Sequence, residues 1–489
     1  MTGWILAPIA APAVAALVNL LVGWRRWSAL LSVLSALTVL VSGVVLAARL
    51  NDGQYVVLGG LLRADALSVT MLIVIGVVAT LTTWAGVGYI GAELAHDHTD
   101  ARGARWYGVL TPGFISAMAL AVCANNIGVI WVAVEATTVV TAFLVGHRHT
   151  RTALEATWKY VMICSVGIAL ALLGTVLLYF AAQHAGAPDA QALNLDVLAE
   201  YAAGLDPGVA RLAGGLLLIG YGTKAGLFPF HAWLADAHSQ APAPVSALMS
   251  GVLLAVAFSV VLRIKPVIDI AAGPSFMRTG LVVLGLATLL VAALMLTVTG
   301  DVKRMLAYSS MENMGLIAIA AAAGTTLAIA ALLLHVLAHG VGKTVLFLAG
   351  GQLQAAHDST EMGDITGVAR RSRLVGGAFA MGLIVLLGLP PFAMFASEVA
   401  IARSLADADM AWVLAAAMVL VAIAFSALVR NSGRMLFGAA AADAPSIVVP
   451  ASVGAAMVVG VAASVALGVT AGPLTGLFTS AADLLGGLP

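Results

Sequence analysis

Fourteen apolar stretches follow one another along this 489-residue chain, with approximate edges at 4–23, 28–49, 65–91, 106–124, 126–146, 156–182, 208–239, 243–263, 279–299, 303–323, 326–350, 374–404, 411–430 and 447–472. About 20 apolar residues suffice for a helix to cross a bilayer. Inside hydrocarbon no water can pair with the backbone, so a spanning segment has to satisfy its own amides and carbonyls as a helix. Only 9% of the residues are charged, against about 25% in soluble domains. The fold class that follows is an all-α polytopic membrane protein. The longest polar stretches are about 25 residues, too short to fold around a core of their own. The first stretch, Trp4 to Trp24, lacks a basic leader and a small-residue cleavage site, and reads as a retained first span.

Loop charges orient the bundle. With the N-terminus outside, fourteen of the 23 Lys and Arg fall in inner loops, seven fall outside, and Lys224 and Lys343 lie within the membrane. That bias follows the positive-inside rule and places both termini on the extracytoplasmic side of a cell inner (cytoplasmic) membrane. Acidic and basic residues balance at 23 each, so nothing favours nucleic acid. Cys123 and Cys164 fall in separate spans without a CxxC pattern. That excludes a disulfide framework and an iron–sulfur site, and the chain shows no catalytic redox site of its own.

Two of the longest apolar stretches are interrupted by the same words, Gly226-Leu227-Phe228-Pro229-Phe230 and Gly388-Leu389-Pro390-Pro391-Phe392. Each predicts a broken helix. The two lie five spans apart, so the second runs through the bilayer in the opposite sense, as an inverted repeat requires. Chance recurrence of a Pro-Phe pair is the other reading. An ionisable residue close to each break, Lys224 before the first and Glu398 after the second, argues against it.

Ionisable groups at membrane depth are costly and mark functional sites by default. Glu135 lies mid-span in WVAVEATTVV and Lys224 in LLLIGYGTKAGLFPF. A charge pair between them would keep both ionised; a static pair that fastens two helices is the alternative. His335, His339 and Lys343 are spaced i, i+4, i+8 and share one helix face. Neutral imidazoles can relay protons. A metal site would want a third ligand, and HVLAH lacks the glutamate of an HExxH helix. His231, Asp236 and His238 end the first broken span, either as proton-entry groups or as an interfacial polar cluster. Asp301, Lys303 and Arg304 look like an inner-surface anchor. Glu312 is the tenth residue of its span, as Glu135 is of its own.

Several motifs in order, WVAVEATT, YGTKAGLFPFHAWLADAHSQAPAPVSALMSG, GDVKRMLAYSSMENMG, HVLAHGVGKTVLFLAGG and GLPPFAMFASE, resemble one family. It comprises the antiporter-like, proton-translocating membrane subunits of respiratory NADH:quinone oxidoreductase, Mrp cation/proton antiporters and energy-converting [NiFe] hydrogenases. EATWKYVMICSVGIALALLGTVLLYF and AYSSMENMG are most similar to the hydrogenase-4 and formate hydrogenlyase component F type. The resemblance implies fourteen helices: three in residues 1–105, inverted five-helix repeats in 106–265 and 279–430, and a last helix and tail in 447–489. It implies a charge pair of Glu135 and Lys224, a central relay of His335, His339 and Lys343, and Glu398 as terminal group; His231 and His238 join the expected proton pathway from their own position, as entry groups. It implies no cofactor on this chain. Partners would be further membrane subunits and a peripheral redox module, a hydrogenase-like large subunit and iron–sulfur subunits, carrying the iron–sulfur clusters and a NiFe centre. Ala255 departs from the pattern, standing where complex I relatives commonly carry a bridging Lys or His. The link between halves would then depend on waters with Ser250 or Tyr221, or be broken. A proton-translocating subunit of an oxidoreductase complex is therefore expected, with an Mrp-type Na⁺/H⁺ antiporter subunit and a non-pumping scaffold as alternatives.

Overall fold

Most long helices start at a short polar residue that closes the first turn. The side chains of Asp65, Asp100, Asn126, Thr150, Asp206, Asp301, Thr325 and Ser372 each accept a hydrogen bond from an amide two or three residues on, satisfying donors the helix itself cannot. The computed structural model describes residues 1–50, 53–439 and 445–486. In order the helices are α1 Thr2–Val22, α2 Arg26–Ala47, α3 Ala66–Ala95, α4 Ala101–Cys123, α5 Ile127–Val145, α6 Arg151–His184, α7 Leu195–Glu200, α8 Pro207–Lys224, α9 Ala232–Gln240 and α10 Ala243–Leu248. A π-helical turn, Met249–Leu253, carries α10 into α11 Leu254–Ala272. There follow α12 Ser275–Val298, α13 Val302–Ala323, α14 Thr326–His357, α15 Val368–Arg371, α16 Arg373–Leu386, α17 Ala393–Asp407, α18 Ala411–Phe437, α19 Ala451–Thr470 and α20 Gly472–Gly486.

Among the described residues, eleven helices are long and apolar enough to cross a membrane, α10 and α11 counting as one. The other three expected spans fall on the two broken helices, α8/α9 and α16/α17, and on α13, whose polar face lowers its hydropathy. Three features depart from the expectation. Residues 55–64 form a hairpin, β1 Tyr55–Val57 against β2 Leu62–Ala64. The tail after α19 is a further helix, α20. Helices α4, α11 and α18 overrun the expected edges at 105, 265 and 430, because helix ends follow caps and not hydropathy.

Both breaks are built alike. Gly226 is left-handed (φ +78°) and its amide donates to the Thr223 carbonyl, while the Leu227 amide donates back to Gly222. Gly388 (φ +59°) donates to Val385, and Leu389 to Ile384. This is the Schellman arrangement, which asks for glycine after the last helical turn and a proline beyond it. The repeated G-L-x-P-F words therefore encode a stop. At Gly226 a Cβ would also lie 2.3 Å from Leu234, and at Gly388 it would lie 2.2 Å from a Glu398 carboxylate oxygen.

Between spans, small residues let backbones touch, which is how apolar helices associate when lipid is as apolar as they are. A Cβ on Gly76 of α3 would lie 2.4 Å from Leu40 Cα of α2. Gly76→Leu is accordingly expected to destabilise the bundle by about 1–3 kcal/mol or more, read as a lower unfolding temperature in detergent. Gly91→Ala on the same helix, with open space around it, should behave like the parent chain. α14 is the central helix, packed against α3, α10, α13, α16, α17, α19 and α20.

Candidate functional site: a buried polar axis

Lys224 is the last residue of α8, fully buried beside the first break. Its Nζ donates to Thr138 Oγ1 of α5 (2.9 Å) and to the Tyr160 hydroxyl of α6 (2.5 Å), which in turn meets Thr141 Oγ1 at 2.6 Å. The expected direct pair with Glu135 is not formed. Glu135 lies one turn before Thr138, on the side of α5 where Val132 and Val139 are exposed, and its Oε2 has no hydrogen-bond partner. Glu135 shares a face of α5 with Thr138, and the Thr138 and Tyr160 hydroxyls, not the carboxylate, meet the ammonium.

The polar groups of α9 divide. Asp236 accepts from Arg304 (2.5 Å) and Lys159 (3.0 Å) near the surface, and His231 is half-buried with Nδ1 unpaired. His238 is fully buried. Its Nδ1–H donates to the Leu234 carbonyl at 2.8 Å, which fixes the tautomer and leaves Nε2 as a bare inward acceptor. The ring packs between Trp233 and Phe347 of α14.

The α14 stripe lies on one buried face, as its spacing predicts. Lys343 donates to the Leu306 carbonyl at 2.8 Å and to the Ser309 hydroxyl. His339 is buried with Nε2 unpaired. His335 meets Asn313 Oδ1 at 2.8 Å and Ser397 Oγ at 3.0 Å. Glu398, on α17, lays its carboxylate over Gly388 and borders a largely apolar groove of about 480 Å³ between α13, α17 and α18.

Sequence reasoning missed some members. Lys303, by sequence part of an inner-surface anchor, is buried, with Nζ on the Ala241 carbonyl (2.6 Å) and near Gln354 Oε1 (3.4 Å). Its place on the face that carries Leu306, Ser310 and Asn313 was the available signal. Glu312 is buried within electrostatic reach of Glu398 and Lys343. Near Ala255, Ser250 Oγ meets Ser310 Oγ at 2.6 Å and joins the π-helical turn to α13, whereas the buried Tyr221 hydroxyl has no partner. Of the two candidates, Ser250 reaches the second half. Among the described residues no group of three His, Cys, Asp or Glu could hold a metal.

Two further charged clusters cap the bundle. At one end Arg63 and Arg263 clamp buried Asp65, with contacts of 2.6, 2.7 and 3.1 Å. At the other, Arg148 meets Glu93 at 2.6 Å beside buried His147. Burial, helped by Arg148 and His149, pushes His147 down to about 4 despite Glu93. An unfolded histidine titrates near about 6.5, so between these values the unfolded chain binds more protons. Stability should therefore fall as the pH drops from about 6.5 to 4, by at most ~1.4 kcal/mol per unit. A His147→Asn variant should flatten that part of the pH–unfolding profile.

Residues 124–425 match the family described as NADH:quinone oxidoreductase/Mrp antiporter, transmembrane. A hydrogenase-4 component F homolog of Methylacidiphilum infernorum (isolate V4) is 36% identical over 391 residues, 80% of this chain and 82% of that protein. Among solved structures, a chain of the membrane-bound sulfane sulfur reductase, an archaeal respiratory membrane complex, superposes with a TM-score of 0.86 at 22% identity, covering 99% of this chain and 97% of that one. A chain of the Mrp complex from Dietzia sp. DQ12-45-1b superposes with a TM-score of 0.84 at 22% identity, covering 99% and 98%. At such identities the superpositions speak for the fold alone.

Proposed function

Because the chain belongs to the NADH:quinone oxidoreductase/Mrp antiporter transmembrane family, we propose that its buried polar axis carries protons across the membrane, driven by electron transfer in partner subunits. The observation that carries this reading is the state of the three buried lysines. Lys224, Lys303 and Lys343 all end on neutral hydroxyl, amide or carbonyl oxygens, with no carboxylate within ion-pair distance. A buried ammonium without a counter-ion is costly, so each gains and loses its proton readily when its surroundings change.

The roles follow the order in space. Lys224 is the switch of the first half, biased by the more distant Glu135. His238 presents a free acceptor within electrostatic reach of Lys303, Lys343 and His339. It can therefore link the halves, with the Ser250–Ser310 contact, where Ala255 offers nothing. His339 and His335 continue the path along α14 to Glu398. His231 lies at the first break, on the entry side. Fourteen spans with inverted repeats and both termini outside the cytoplasm complete the reading. Redox cofactors, iron–sulfur and NiFe, belong to the partners.

Mild detergent extraction tests the partnership. Co-purification of a hydrogenase-like large subunit and iron–sulfur proteins is expected. Small Mrp-type membrane subunits in their place would favour the cation antiporter.

A further inference from the structure

The surroundings of His335 fix more than its position. Asn313 uses its amide NH₂ on the Ser309 carbonyl (2.7 Å), so Oδ1 accepts from the ring at Nε2. Ser397 has one hydroxyl proton and gives it to the Met394 carbonyl (2.7 Å), so Oγ accepts from Nδ1. Both ring nitrogens thus face acceptors, and the network as it stands suits an imidazolium with two N–H groups. A neutral ring requires one neighbour to rearrange. Turning the Asn313 amide would set its oxygen against the Ser309 carbonyl, whereas the Ser397 hydroxyl needs only to rotate. Nδ1 is therefore the nitrogen that releases its proton with the smaller disturbance.

The two brace residues are chain neighbours of two carboxylates. Glu312 precedes Asn313 on α13 and Glu398 follows Ser397 on α17. Both carboxyls lie at one groove: Leu316, one turn beyond the buried Glu312 on α13, lines it together with Glu398 of α17, and the Glu398 charge acts on Glu312. Two neighbouring carboxyls in a medium of low dielectric hold one proton between them more readily than none. We propose that Glu312 is a proton-carrying residue in its own right, sharing one proton with Glu398, and that His335 loads the pair from Nδ1 through Ser397. Loaded, the imidazolium is balanced by one negative charge on the pair. After transfer the ring is neutral and both carboxyls are protonated, so that the proton count is kept and no charge is left uncompensated between them. Release from Glu398 into the groove restores the starting pair.

This inference rests on the proton-carrying reading above, and the test separates the two. The complex purified with this subunit is reconstituted into vesicles, and protons translocated per electron are measured for the parent, Glu312→Gln and Glu398→Gln. Glu312→Gln is expected to lower the ratio by about tenfold or more, as Glu398→Gln does, while electron transfer continues with the gradient collapsed. Infrared difference spectra supply a second reading: removing either carboxyl should change the titration of the one that remains. Parent-like translocation by Glu312→Gln beside a defective Glu398→Gln overturns the role of Glu312 alone. If Glu312→Gln does not assemble, an unchanged carboxyl titration in Glu398→Gln overturns the sharing. A parent complex that translocates nothing overturns the wider function.

Discussion

Lys224→Met is expected to abolish proton translocation while leaving the subunit folded and assembled. Methionine matches the length of the lysine stem, and an apolar side chain in place of a buried charge is usually neutral or stabilising. Of the two hydroxyls that lose the lysine, Tyr160 keeps its 2.6 Å contact with Thr141 and Thr138 is neutral, so no charge is stranded there. What disappears is the fully buried ammonium at the first break, and with it the proton it would hold. A loss beyond about tenfold is anticipated, equivalent to at least ~1.4 kcal/mol in the barrier. Tyr160→Phe removes one hydrogen bond from Lys224 and should act more mildly, on the scale of about 0.5–1.5 kcal/mol. Proton uptake into vesicles checks both. If Lys224 were merely a structural pin, the ranking would reverse: Lys224→Met would transport normally and lose stability.

The largest effect on stability is expected at the other cluster. Arg263→Ala removes a bidentate partner from Asp65, a carboxylate buried to 1% exposure. Breaking a buried pair from one side costs about 3–5 kcal/mol, because the remaining charge is stranded. Beside the Ser68 amide, Arg63 is then the one remaining arginine on Asp65, and it also stands within electrostatic reach of Asp196. The double variant Asp65→Asn with Arg263→Met should recover much of the loss, since asparagine still caps α3. Acid pH supplies a second check. Burial pushes the Asp65 carboxyl up, but Arg263 and Arg63 outweigh it and hold it well below the usual carboxylate range. Its stabilising effect is therefore full above the unfolded value of about 4 and is lost only as the pH falls towards the depressed native value. In Arg263→Ala the clamp is gone, so the gap in unfolding temperature between parent and variant should narrow below about pH 4.

The elements that sequence reveals best are those set by local rules. Hydropathy located the spans, and the G-L-x-P-F words located both breaks because glycine and proline act within a few residues of themselves. The i, i+4, i+8 spacing brought His335, His339 and Lys343 to one face, since helical phase is local too. What required the structure depends on how helices rotate and approach. Charge alone matches Glu135 with Lys224, yet the ammonium meets Thr138 and Tyr160, hydroxyls with no charge to betray them. Lys303 sits at a helix start among surface-type residues, and the packing of α13 against the Ala241 turn and α14 buries it. Arg63 and Arg263 fall among the outer charges in the sequence, although both clamp Asp65. The hairpin at 55–64 and α20 are short, and neither carries a run long enough to register as a span.

The most direct test of the central claim is the acidification of vesicles containing the purified complex during electron transfer, measured with a pH-sensitive dye. The account predicts a proton gradient that builds with turnover, collapses with a protonophore, and is absent in Lys343→Met although electrons still flow. Steady electron transfer with no gradient in the parent complex, or an undiminished gradient in Lys343→Met, would contradict it.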